Sequence, residues 1–166
     1  MRAPRDSVDE HIARWSQVLP DLDPDVEGAV TRMQFLVRHL RRTKQETLAA
    51  HDLQNFEYET LHALAGRGEP YQAGPSELAT ELKMSPAAMT GRLDTLEQRG
   101  YLRRQPSTTD RRKVVVQLSE SGHRAWQETI GSMGHEEDRI LGTLTRAERR
   151  QLADLLRRML LMVERE

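Results

Sequence analysis

The chain has 166 residues, enough for one domain with a real core, and its 25 Lys+Arg against 26 Asp+Glu leave a net charge of −1, so the molecule as a whole advertises no polyanion partner. Zero cysteines exclude disulfides, thiolate metal sites and thiol redox sensing, and 4% aromatic residues argue against the base-stacking platforms of single-strand binders. No apolar run approaches the roughly 20 residues of a membrane span and the opening MRAPRDSVDEH lacks an apolar signal core, so the chain reads as soluble and cytoplasmic, with no membrane partner.

Helical periodicity dominates. Val8, Ile12, Trp15 and Leu19 predict a first helix that stops at Pro20. Val26, Val30, Met33, Val37 and Leu40 predict a longer second one, opened by Asp23 as cap and Pro24 in the first helical position. A third runs from about Asn55 to Ala65, closed by Gly66 and Gly68. After the loop EPYQAGP, the segments SELATELK and SPAAMTGRLDTLEQRG predict two helices separated by a tight turn at about Lys83 to Ser85. Ser85 is the cap of the second, Pro86 fits its first position and Gly100 ends it.

The period then changes once. YLRRQ, the polar turn PSTTDRR and KVVVQLS read as a two-stranded hairpin with a longer loop. Helix resumes near Ser119 with a stripe of Trp126, Ile130, Met133, Ile140, Leu141 and Leu144. Thr145 with Glu148 fits a capping box for the last helix, whose Leu152, Leu155, Leu156, Met159 and Val163 keep helical spacing. No repeat or low-complexity linker interrupts this order.

Charge is uneven along the path. Ser85 to Lys113 carries seven basic residues against three acidic, a net of +4, whereas Met1 to Gly28 carries three basic against seven acidic, a net of −4. Helix, turn, helix and hairpin is the order of a winged helix-turn-helix, and the basic excess sits where that geometry meets DNA. On the second helix of the pair, Met89, Leu93 and Leu96 share a core face. Ala87, Ala88, Gly91, Asp94 and Thr95 lie opposite, flanked by Thr90 and Arg92. Small residues let a helix sit deep in a major groove, where Ala touches a thymine methyl, Thr bonds a base edge or phosphate and Arg reads guanine. The same Ala/Gly face also fits plain packing against another helix.

Arg111, Arg112 and Lys113 stand at the hairpin tip, and Asp110, two residues before Arg112, is placed to hold that guanidinium in one orientation for a narrow minor groove. The bland alternative is a solvated charge run. Ser76 and Ser85, near the starts of the two helices, complete the expected DNA-binding set.

The run DRRKVVVQLSESG resembles the wing signature of the MarR family of bacterial transcriptional regulators, Asp-x-Arg followed by an alternating strand and Leu-Ser/Thr. SELATELKMSPAAMTGRLDTLEQRGYLRR is similar to that family's helix-turn-helix, and the likeness extends over nearly the whole chain. It implies a mostly α fold: one domain over residues 1–166, with a winged helix-turn-helix lobe at 55–118 and dimerisation helices at 1–54 and 119–166. It also implies an obligate homodimer on a palindromic operator in double-stranded DNA, Arg112 in the minor groove with Asp110 bracing it, a repressor relieved by a ligand, and a place in the cytoplasm at the nucleoid.

The early helix HIARWSQVLPDLDP is similar to a subgroup of that family that responds to urate and related small anions, with a Trp on the extra helix and acidic and Arg groups nearby. Trp15 matches that Trp and Glu59 stands near the subgroup's acid, while Gly66 lies near the place of its Arg. A small anionic effector is therefore one expected partner, and a dimer-core anchor is the other reading of Trp15. His135, Glu136, Glu137 and Asp138 read as an exposed charged face rather than a metal site. With no phosphate loop, HExxH helix or nucleophile motif, neither a cofactor nor catalysis is expected. The rival reading from another class is a helical protein–protein interaction module that docks an acidic partner on the basic hairpin.

Overall fold

The computed structural model describes residues 4–107 and 112–165. In chain order its elements are α1 (Ser7–Trp15), α2 (Pro24–Ala50), α3 (Asn55–Ala65), β1 (Gln72–Ala73), α4 (Pro75–Glu81), α5 (Pro86–Gln98), β2 (Leu102–Pro106), β3 (Val114–Leu118), α6 (Glu120–Leu141) and α7 (Arg146–Val163). They form two compact units, Met1–Lys44 and Gln45–Glu166.

In the first unit Asp6 caps α1, its Oδ1 accepting the Val8 and Asp9 N–H groups at 2.9 and 3.1 Å. Arg32 on α2 donates from Nε to Asp6 at 2.8 Å and from Nη2 to Asp9 at 2.8 Å, tying the two helices together. That hydrogen bond is the main reason the Asp6 carboxyl sits at about 2. The first helix ends at Trp15, short of Pro20, because Ser16 Oγ bonds back to Ile12 O at 2.9 Å and the Val18 and Leu19 N–H groups both turn to Trp15 O. Asp23 caps α2 as expected, accepting the Asp25 and Val26 N–H groups at 2.9 and 3.2 Å.

The second unit is a winged helix-turn-helix. Its core is built from Leu61, Leu64, Leu78, Met89, Leu93, Leu96 and Val116, all at most 1% exposed. Each such side chain contributes about 1.5–3 kcal/mol by leaving water. The three antiparallel strands are ordered β1-β3-β2, with Leu102 opposite Leu118, Arg104 opposite Val116 and Pro106 opposite Val114. Alternation decides the two faces: Leu102, Val116 and Leu118 are buried against the helices, while Arg103 is exposed. A further bond, Ser107 N–H to Lys113 O at 2.8 Å, carries the hairpin one step past the strands. Strand β1 lies inside EPYQAGP, read above as loop, since two residues are too short to show a period. The helix boundaries at Asn55–Ala65, the Ser85 cap with Pro86, and the Thr145–Glu148 capping box are as the sequence predicts.

One buried ion pair anchors this unit. Glu57, 1% exposed, accepts Arg99 Nη1 at 2.7 Å and the Gln54 N–H at 2.8 Å. Arg99 Nη2 also bonds the Asp52 carbonyl and carboxylate at 2.7 and 2.8 Å, and its guanidinium lies 4.8 Å from the Tyr101 ring centre. The C-terminal end of α5 is thereby fixed to the start of α3 and the turn before it. Among the described residues no helix is long and apolar enough to cross a membrane.

Candidate nucleic-acid interface

The exposed side of α5 is the one the sequence assigned. Met89, Leu93 and Leu96 are buried, whereas Ser85, Ala87, Ala88, Thr90 and Gly91 are exposed, as is Ser76 at the second residue of α4, and Asp94 and Thr95 of the assigned face are half-buried. Ser85 Oγ accepts the Ala88 N–H at 3.2 Å and Thr90 Oγ1 donates to Pro86 O at 3.0 Å, so both hydroxyls are held close to the helix backbone. A Cβ added at Gly91 would meet nothing within 4 Å, which leaves that stretch of backbone open to close approach.

Arg92 does not project from this face. Its guanidinium lies 5.5 Å from the centre of the Phe56 ring, and Nη1 stands 3.4 Å from Glu59 Oε2. Glu59 is further held by Asn55 Nδ2 at 2.6 Å. Two residues assigned to different roles, Arg92 to DNA and Glu59 to a ligand, thus form one ion pair between α5 and α3, beside a shallow pocket lined by Phe56, Gly91, Arg92 and Thr95. Trp15, in the first unit, is 42% exposed and lies 6.1 Å from the His11 ring.

Asp94 is the acidic residue in the outward-facing set, and an unpaired carboxylate there would repel phosphate. Arg104 neutralises it: Nη1 donates to Asp94 at 2.6 Å and to Glu97 at 3.0 Å, and Nη2 reaches Thr90 O at 3.2 Å. The sequence carried a signal for this clamp. Asp94 and Glu97 are three apart on one helix, and Arg104 shares a strand face with the buried Leu102. Among the described residues Arg103, on the other face, donates to an amide, Gln117 Oε1, at 2.9 and 3.2 Å. Much of the positive excess counted between Ser85 and Lys113 is therefore consumed inside the lobe, at Arg92, Arg99 and Arg104.

At the wing, Arg112 and Lys113 are exposed. Asp110 and Arg111 lie outside the described residues, so the expected brace between Asp110 and Arg112 belongs there too.

The chain is similar to known proteins at three levels. The model of the MarR family matches residues 53–114, from just before α3 to the first residue of β3. The transcriptional regulator PecS of Dickeya dadantii is 32% identical over 154 residues, spanning 91% of each chain. The chain belongs to the MarR family. Like other MarR-family proteins it is a DNA-binding transcriptional regulator and not an enzyme. Its fold agrees with the crystal structure of YusO from Bacillus subtilis at a TM-score of 0.68 and 23% identity, covering 81% of this chain and 93% of that one. A mutant of MepR from S. aureus bound to an oligodeoxyribonucleotide superposes at a TM-score of 0.62 and 18% identity, covering 81% and 97%.

Proposed function

We propose that the regulator works as a homodimer on a palindromic operator, with residues 55–118 as the DNA-binding lobe and residues 1–54 and 119–166 as the dimerisation helices. The observation that carries this is the pairing of an exposed small-residue face on α5 with exposed cations at the wing, on a chain whose terminal helix buries nothing. In α7 no residue is buried, and Leu155, Leu156, Met159, Leu160, Leu161, Met162 and Val163 are 42–64% exposed. An apolar surface of that extent marks an association site, and a second copy of the chain is the occupant the family supports. Ser76, Ser85, Ala87, Ala88, Thr90 and Gly91 then meet the major groove, and Arg112 and Lys113, with Asp110 and Arg111, the minor groove and its phosphates.

The Arg92–Glu59 pair supports a reading in which a small anion relieves repression. A ligand bound near Glu59 competes for Arg92 or shifts Glu59, and that pair joins α5 to α3. Two recognition helices must stand about 34 Å apart to engage successive half-sites, so a shift of one lobe lowers affinity, provided the ligand binds the shifted state better. The regulator acts in the cytoplasm, at the nucleoid through its operators.

The test is fluorescence anisotropy of the purified protein with DNA flanking its own gene, over a salt series, with random duplex as competitor, repeated with urate and related anions. Saturable, competitor-resistant binding whose log K falls by about 0.9 per phosphate per log unit of salt is expected. Weak, salt-abolished binding to every fragment would overturn the reading. In the same assay Arg112→Ala is expected to weaken operator binding by about 1–3 kcal/mol while leaving the sedimentation of the dimer unchanged. Equal affinity of variant and parent would remove Arg112 from the interface.

A further inference from the structure

Among the described residues three that are not glycine hold a left-handed backbone: Asp52 (φ 52°), Tyr71 (φ 55°) and Lys83 (φ 51°). Asp52 and Lys83 occupy equivalent places, two residues beyond the last helical residue of α2 and α4. Each closes its helix with the same pair of bonds. After α2 these are Leu53 N–H to Leu48 O at 2.9 Å and Asp52 N–H to Ala49 O at 3.2 Å. After α4 they are Met84 N–H to Ala79 O at 2.9 Å and Lys83 N–H to Thr80 O at 3.2 Å. After α5 the same place is filled by Gly100 at φ 73°, the residue this closure favours because a Cβ crowds the backbone there.

Residues held in sparsely populated backbone regions cluster at functional sites. Asp52 receives the Arg99 guanidinium, and Tyr71 stacks on His123 with ring centres 4.6 Å apart. Lys83 is exposed, and its ammonium makes no hydrogen bond or ion pair to another described residue. In this it differs from Arg67, Arg92, Arg99 and Arg104 of the same lobe, which all sit on carboxylates. Lys83 lies in the helix-turn-helix turn, two residues before the Ser85 cap and just ahead of exposed Ala87 and Ala88. A lysine is a compact, strongly hydrated point charge on a flexible stem, suited to a phosphate oxygen and indifferent to base sequence.

We propose that Lys83 is a DNA-backbone anchor: it contacts a phosphate from the turn between α4 and α5, held at a position where glycine would make the free protein more stable. The inference rests on the reading that the exposed α5 face meets DNA. It adds a contact that holds the lobe on the duplex without choosing sequence.

Three variants separate charge from backbone. Lys83→Gly removes both the cation and the crowding, Lys83→Gln removes the cation alone, and Lys83→Arg keeps it. Each is titrated by anisotropy against an operator fragment and random duplex from about 50 to 300 mM salt, and melted without DNA. Lys83→Gly is expected to raise Tm by about 2–4 °C while weakening binding about 3- to 10-fold on both DNAs. Lys83→Gln is expected to show the same binding loss without the gain in Tm, and both variants to lower the salt slope by about 0.9 for each lobe on DNA. Lys83→Arg is expected to keep the slope. An unchanged slope for Lys83→Gln beside normal operator binding by the parent would overturn the anchor and leave the α5 interface standing. A loss confined to one DNA sequence would also overturn it, and a parent protein with no salt-dependent DNA binding would overturn both.

Discussion

Gly122→Ala is expected to destabilise the protein by about 3–5 kcal/mol, since it is the glycine at which an added Cβ clashes most closely. Gly122 lies in the first turn of α6, where a Cβ would fall 2.0 Å from Tyr101 O and 2.8 Å from Tyr101 C. Both are backbone atoms at the α5–β2 junction, so no rotamer change relieves the clash. Helix and strand must separate. The separation breaks a joint made of three bonds: Ser119 N–H to Tyr101 O at 3.0 Å, and the Ser119 and Ser121 hydroxyls to Gly100 O at 2.6 and 2.8 Å. Overpacking alone costs about 1–3 kcal/mol, and weakening the three bonds of the joint about 2 kcal/mol more. A urea titration of parent and variant checks this, with Gly131→Ala as control, because a Cβ at Gly131 in the same helix meets nothing within 4 Å. The control is expected to be neutral or stabilised by up to about 1 kcal/mol through helix propensity. A Gly122→Ala midpoint equal to the parent's would show that α6 does not approach β2 this closely.

Arg99→Met is expected to cost about 3–5 kcal/mol, because it leaves the Glu57 carboxylate without its cation in a place that is 1% exposed. The attraction within the pair is not the source of this figure, since a buried pair is near break-even against apolar residues of the same size. The cost comes from stranding one charge. The variant also frees the Asp52 carbonyl and loses the stack on Tyr101, so the register of α5 against α3 loosens. A double-mutant cycle with Glu57→Gln separates the two causes. Neutralising Glu57 as well is expected to recover part of the loss, with a coupling energy of about 1.5–3 kcal/mol measured by urea denaturation. Additive losses would show that Glu57 and Arg99 act independently and that Arg99 matters only through Asp52 and Tyr101.

Neither residue stood out in the sequence, and the reason is the same for both. Gly122 is the last letter of DRRKVVVQLSESG, a stretch legible by its charges and its alternation, whereas its own role is set by Tyr101, which reaches it only once the hairpin has folded back. Arg99 reads as one more cation in a basic stretch, and its partners Asp52 and Glu57 are 47 and 42 positions away in the chain. Pattern reading found Met89, Leu93 and Leu96 as a core face because one period of 3.6 residues contains all the information needed. It also found the Ser85, Asp23 and Thr145 caps, which act within three residues of themselves.

The sequence by itself determined the order of the helices, the core face of α5, the hairpin and its resemblance to the MarR family, since each depends on residues close together in the chain. Only the tertiary structure decided which charges are paired inside the lobe and which stay exposed. Summed along the chain, Arg92, Arg99 and Arg104 count equally with Arg112 and Lys113. In the fold the first three are held by Glu59, Glu57, Asp52, Asp94 and Glu97, while Lys83 and Lys113 remain exposed. Electrostatic free energy follows distance and solvent exposure rather than position in sequence, so a charge count bounds what a surface can do and the fold assigns which groups do it.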